Sequence, residues 1–232
     1  MSDKYDAFST DDRDWLDNDA PAAERTERFQ RSSGVDIPGR VGEVIESSTT
    51  ELIAQSYTLH AAPPFGTLIR ANDGESDVIG VVSSIRTAGI DPGRRPIARG
   101  FDEQTEEDVY RNNPELGAVL RTEFTALIVG YRDRDGVYYQ HYSKQPPRLH
   151  AFVYTLASDE VLAFTQKLEF LNALLGASAN DTSDQLLAAC LREASLDWPE
   201  SRAFLVGAGR RMAALLPADA GRLSRILDRM RQ

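Results

Sequence analysis

EVIESSTTELIAQSY, residues 43–57, sets two β-branched runs on either side of Ser47, Ser48, Thr49 and Thr50, four consecutive hydroxyl residues. Val44 and Ile45 before the cluster and Leu52 and Ile53 after it suit a pleated, half-buried strand. Short hydroxyl side chains bond readily to nearby backbone, which favours a turn. The flanking Glu46 and Glu51 would repel an incoming phosphate, and ordinary carboxylates are weak bases at neutral pH. The cluster is therefore read as a turn between two strands, rather than as a nucleophile or a phosphate cradle.

The same texture extends outward. RVGEVIES from Arg40, ELIAQSYTL from Glu51, GTLIRA from Gly66 and DVIGVVSSIR from Asp77 follow in succession, and TEFTALIVGYR from Thr122, GVYYQHY from Gly136 and RLHAFVYTL from Arg148 come later. Glycines inside or opening these runs, Gly42, Gly66, Gly80 and Gly130, weaken a strand unless the sheet bends sharply or another backbone comes close. Closing a sheet needs such bends. About seven strands therefore predict a small β-barrel over residues 37–156. Within it, Asp135-Gly136 supplies a tight hairpin turn, with Arg134 expected opposite Val137.

A helical insertion interrupts the barrel at 89–120. Its first half is a Gly/Pro/Arg loop carrying Arg94, Arg95 and Arg99. Its second half has Thr105 ahead of Glu106, Glu107 and Asp108, and then Pro114, both helix-start signals. Beyond Thr155 the apolar period lengthens to that of a helix. Ser158 is placed as an N-cap, with Val161, Phe164, Leu168, Leu171 and Leu175 forming one stripe up to Gly176. Thr182 with Gln185, Pro199, and Pro217 with Asp219 mark further starts, giving a four-helix bundle over 157–232. The fold class is α+β. Residues 1–36, rich in Asp, Glu, Ser and Arg, have only Trp15, Leu16 and Phe29 as large apolar groups and are expected to form a disordered acidic tail, with DDRDWLDND weighed as a short docking motif.

The totals narrow the function. A chain of 232 residues, 41% apolar, can bury real cores, and its formal charge of −10 disfavours a surface built mainly to hold duplex phosphates. The single cysteine, Cys190, rules out an internal disulfide and a multi-cysteine zinc site, so a cytoplasmic setting is expected. The N-terminus lacks the positive and apolar regions of a signal peptide, and no run nears the ~18 apolar residues of a membrane span, so no membrane partner is expected.

Reaction chemistry is not written in the chain. There is no G-x-S-x-G elbow, and Lys4, Lys144 and Lys167 all lie outside any Gly-rich phosphate loop. GAGRR, residues 207–211, falls in a helical pattern, where Gly207 and Gly209 are read as permitting close helix approach. NDGESD and DRDG lack the alternating oxygen ligands and distal Glu of a calcium loop. His141 and His150, in neighbouring predicted strands, could meet across the barrel but have no third ligand. No catalytic residue, cofactor or metal is assigned. A hydrolase using Ser48 or Thr49 with His150 is the remote alternative.

GRVGEVIESSTTEL, the Gly turn in PPFGTLIRA, and DVIGVVSSI together resemble the HAS barrel, the β-barrel that precedes the motor domain of HerA-type DNA translocases and forms the N-terminal crown of ATP-synthase catalytic subunits. The resemblance runs from about Gly39 to Tyr154. With LRTEFTALIVGY, PPRLHAFVY and the helical tail, the chain is similar to stand-alone bacterial HAS-barrel proteins. The resemblance implies ring assembly or contact with a partner nuclease. The motor domain with its phosphate-binding loop is missing, and a helical bundle stands in its place.

The expectation is a non-catalytic interaction module that self-associates or docks onto a larger complex, such as DNA-processing machinery. The loops singled out for partner contact carry Ser48, Thr49, Thr50, Glu51, Arg94, Arg95, Arg99, Pro146, Pro147, Arg148 and His150. The alternative is a nucleic-acid-binding accessory protein, using the insertion arginines together with Arg210, Arg211, Arg222 and Arg225.

Overall fold

The computed structural model describes residues 37–91, 93, 96–177 and 181–231. The acidic tail expected over 1–36 lies outside them, as do Arg94 and Arg95. Seven strands form: β1 (Arg40–Ser47), β2 (Glu51–Ser56), β3 (Leu68–Asn72), β4 (Asp77–Gly89), β5 (Leu120–Arg132), β6 (Tyr138–Tyr139) and β7 (Phe152–Thr155). All pair antiparallel, in the order β2-β1-β7-β3-β4-β5-β6, and a further β2–β5 pairing closes six of them into a ring. The closing seam runs from Glu51↔Leu127 to Gln55↔Glu123. β6 lies outside the ring as a short return from β5.

Closure bends the strands where the register slips, at Val44/Glu46 in β1 and at Ile79/Gly80 and Val82/Ser84 in β4. Gly42 is required at the first crowded crossing, because a Cβ there would stand 2.3 Å from the Gln55 carbonyl oxygen. At Gly130 an added Cβ would lie 2.3 Å from the Tyr139 carbonyl oxygen and 2.9 Å from the Phe164 ring.

Two apolar clusters form on the two sides of the wall. Val44, Leu52, Ala54, Ile69, Ala71, Val82, Phe124, Ala126 and Val153 fill the barrel. Leu68, Ile79, Val81 and Val129 point outward and pack with buried helical residues such as Phe164, Phe170, Leu174, Leu187 and Leu191. Both faces of β4 are thus buried from Val78 to Val82, which explains the unbroken apolar run VIGVV.

The helices on that outer face are α3 (Ser158–Thr165), α4 (Leu171–Ala177), α5 (Asp181–Ser195), α6 (Ser201–Leu215) and α7 (Ala220–Met230). One apolar cluster spans the expected barrel–bundle boundary. Arg132 strengthens the junction, donating to Glu160 of α3 at 2.7 Å and to Asp77 of β4 at 2.6 Å. Arg222 of α7 pairs with Asp184 of α5 at 2.7 Å, with the two side chains only 11% and 4% exposed.

Several expectations are corrected. The hairpin pairs Asp133, rather than Arg134, with Val137: Val137 O accepts from Asp133 N at 3.0 Å. The loop is therefore three residues long, and the Asp133 carboxylate fixes it by accepting from Asp135 N and Val137 N, with Gly136 at φ 80°. The stripe from Val161 to Leu175 is two helices rather than one. The Gln140 side chain breaks it, donating to Phe164 O and Lys167 O and accepting from Glu169 N and Phe170 N, so one amide caps the end of α3 and the start of α4.

Ser158 is the first residue of α3, and Ala157 occupies the N-cap, its N–H donating to Glu160. Thr182 sits inside α5 rather than at its cap, and α6 starts at Ser201, beyond Pro199. Of the two glycines of α6, only Gly209 is packed: a Cβ there would be 3.1 Å from Leu227, whereas nothing lies within 4 Å of one at Gly207. Asp219 caps α7 as expected, accepting from Arg222 N at 2.8 Å.

Residues 99–118 form a separate compact unit. In it α1 (Glu106–Asn112) is capped by Thr105, whose hydroxyl accepts from Asp108 N while Asp108 reaches back to Thr105 N. The short α2 (Leu116–Val119) follows Pro114.

Candidate functional site

The turn between β1 and β2 is built by one hydroxyl. Ser48 Oγ accepts from Thr50 N at 3.2 Å and Glu51 N at 3.0 Å and donates to Glu51 O at 3.1 Å. Its lone pairs and proton are spent inside the turn. Ser47 Oγ reaches out of the turn and donates to Pro147 O at 2.7 Å.

That bond draws the predicted QPPRLH loop onto β1. Pro147 is buried, Pro146 half-buried, and Arg148 and His150 are exposed. Arg148 Nε donates to Asp73 O at 3.0 Å, and Arg148 N donates to Asn72 O at 3.1 Å. Its guanidinium covers Gly74, where a side chain would collide with it. His150 has φ 64°, in the left-handed region, and its N–H donates to Val44 O at 2.9 Å. A non-glycine residue there costs roughly 1–2 kcal/mol. Its Nδ1 contacts Glu43 Oε1. The structure thus brings Ser48–Glu51, Pro146–Arg148 and His150 to neighbouring loops, held by Ser47, Asp73 and Glu43.

The hydrolase alternative does not assemble, because His150 bonds Glu43 and neither Ser48 nor Thr49 bonds His150. Nor does the structure bring His141 to His150, a meeting that the sequence only allowed. His141 packs edge-on to Tyr131 with ring centroids 5.4 Å apart, since β6 leaves the ring beside β5 while β7 lies between β1 and β3.

Beside these loops is an open cleft of about 330 Å³, where Asp73, Glu75, Asp133 and Asp135 outnumber Arg134 and Lys144. Burial works against the charge of Asp73, but hydrogen bonds from Ser76, the backbone of Glu75 and Ser76, and Ser143 hold its carboxyl below the usual value. The carboxylate shapes the β3–β4 turn through Glu75 N, Ser76 N and Ser76 Oγ and ties the β6–β7 loop to it through Ser143 Oγ at 2.7 Å. Among the described residues no three His, Cys, Asp or Glu side chains converge as metal ligands. Burial pushes the Cys190 thiol up to about 12, so it is an inert core group.

The predicted arginines divide. Arg99 is bound within the insertion by Asn113 and Glu115. Arg222 turns inward to Asp184 and so leaves the face expected for it with Arg210, Arg211 and Arg225, which are exposed.

Sequence reasoning missed the outer wall near β1 and β7. There the Arg40 guanidinium stands 5.4 Å from the Tyr57 ring centroid and 4.9 Å from that of Phe152, and both rings remain nearly half exposed. The signal was available in the alternation of FVYT, where Val153 points inward and its aromatic neighbours must point out.

Among the described residues the architecture is a six-stranded antiparallel barrel backed by helices and edged with polar turns. Residues 41–134 match the family described as the HAS barrel domain, so the chain carries a HAS barrel, and no ATPase domain family matches it. No curated protein shows significant similarity to the chain. Among the described residues no helix is long and apolar enough to cross a membrane.

Proposed function

We propose that this chain is a non-catalytic docking module, a HAS barrel with a helical buttress that joins a larger assembly through protein contacts. The observation that carries this reading is the exposed aromatic pair Tyr57 and Phe152, held under Arg40 on a rigid closed wall. Exposed aromatic and arginine side chains are enriched where proteins meet. The hydroxyl, imidazole and carboxylate groups nearby are committed to shaping loops, which supports docking over turnover. In this reading the setting is cytoplasmic, and the assembly belongs to the DNA-processing class that the HAS barrel resemblance implies.

Light scattering on the full chain, together with affinity capture from its native cell, tests the reading. A stable oligomer or a reproducible stoichiometric partner is expected. A strict monomer that captures nothing would contradict it.

A second reading rests on Arg210 and Arg211, exposed on α6 with no ion pair among the described residues. It expects salt-dependent binding to nucleic acid that disappears when both are neutralised. Absence of binding at low salt would remove it.

A further inference from the structure

β4 loses one neighbour halfway along its length. On the β3 side the last backbone contacts are Gly66 N donating to Val82 O at 2.8 Å and Val82 N donating to Thr67 O at 3.0 Å. From Ser84 to Gly89, among the described residues, only β5 continues beside it, through the pairs Ser84↔Thr125 to Gly89↔Leu120. Ile90 N donates to Val119 O at 2.9 Å, which sets the alternation. Ser84, Arg86 and Ala88 therefore aim their main-chain groups at β5, and Ile85, Thr87 and Gly89 aim theirs away. Among the described residues no strand pairs with that second edge, and Ser84 to Thr87 are exposed. A row of free N–H and C=O groups at strand spacing is a template for another chain.

The side chains show what kind of chain fits. Ile85 lies directly across from Phe124 and shares its face, yet it is 45% exposed while Phe124 is buried. An apolar surface is thus left open beside the free edge. Arg86 points to the other face, across from Glu123, but Glu123 is engaged by Arg121 at 2.8 Å. Arg86 is exposed and has no ion pair among the described residues. A second copy is a poor occupant, because the register that overlaps Ser83–Gly89 in full sets Arg86 against its own counterpart.

We propose that Ser83–Gly89 of β4 accepts an extended segment of a partner protein as an added strand, one that lays apolar side chains over Ile85 and a carboxylate opposite Arg86. This rests on the docking reading and assigns it a place and a chemistry.

The test uses the full chain, ¹⁵N-labelled, and two short blocked peptides of alternating valine and threonine, one with glutamate at its centre and one with lysine. The glutamate peptide is expected to slow exchange of the Ile85 and Thr87 amides by roughly tenfold or more, with Ser84 and Arg86 little changed. Ile85→Pro removes an outward donor without breaking a β4–β5 bond and should weaken that peptide roughly tenfold, leaving the fold intact. Arg86→Glu should reverse the preference between the peptides. The proposal is overturned if neither peptide binds, if Ile85→Pro binds as well as the natural chain, or if protection falls on other amides. An Ile85→Pro chain that still captures the natural chain's partner would end this proposal and leave the docking reading standing. A natural chain that captures nothing would end the docking reading itself.

Discussion

The two halves of β4 live in different surroundings. Val78 to Val82 are hydrogen-bonded on both edges and packed on both faces, against the barrel interior and against the helices. Among the described residues Ser84 to Thr87 pair with β5 alone and are exposed, Thr87 Oγ1 also meeting Thr122 Oγ1 at 2.8 Å and His60 Nδ1 at 3.4 Å. The molecule concentrates its stability on the helix-backed side and leaves the rim underpaired. Substitutions on the two sides should therefore separate cleanly, with global unfolding on one and altered association on the other.

The largest expected effect is at Phe164, fully buried against Phe170 and Tyr138 in the cluster shared by barrel and helices. Phe164→Ala should cost about 3–5 kcal/mol by urea unfolding, while Ile85→Ala at the rim should cost about 1 kcal/mol or less. If the two cost the same, the contrast between the halves is wrong.

Asp184→Asn comes next. It leaves Arg222 charged and buried beside a neutral amide and should destabilise by about 3 kcal/mol in thermal melts. Neutralising exposed Arg210 should leave the melting point nearly unchanged.

Gln140→Ala removes one side chain that serves four backbone groups. A loss of about 1–3 kcal/mol is expected, with faster amide exchange at Glu169 and Phe170. Unchanged exchange there would show that the α3–α4 break has another origin.

The smallest effect is a pH dependence at the barrel–helix junction. Burial alone would raise Asp77, but hydrogen bonds from Asn72 and Arg132 and the Arg132 charge hold it below its ordinary value of 3.8. A depressed folded pKa contributes stability that is complete above the unfolded value and is lost as pH falls through the folded one. The natural chain's stability advantage over Asp77→Asn should therefore shrink as acid is added below the ordinary carboxylate value. An advantage constant across that range would contradict the assignment.

What the sequence revealed follows from the range of each interaction. Strand positions were legible because period-two burial is local, as in β1 and β5, and the Ser48 turn was legible because its bonds stay within three residues. The Asp133–Val137 register was missed because a carboxylate, rather than the Asp-Gly pair alone, decides the loop length. The break in the Val161–Leu175 stripe was invisible because its cause, Gln140, lies far back in the chain. Arg222 could not be told from Arg225 without knowing that Asp184 faces it. The free edge of β4 depends on where β3 stops, which periodicity does not record.

Native-state amide exchange on the full chain tests the closed ring with its open rim most directly. The account expects Leu52, Ala54, Phe124 and Ala126, whose amides cross the β2–β5 seam, to exchange only through global unfolding, and Ile85, Thr87 and Gly89 to exchange far faster. Rapid exchange along the seam, or protection of those rim amides in the isolated chain, would contradict it.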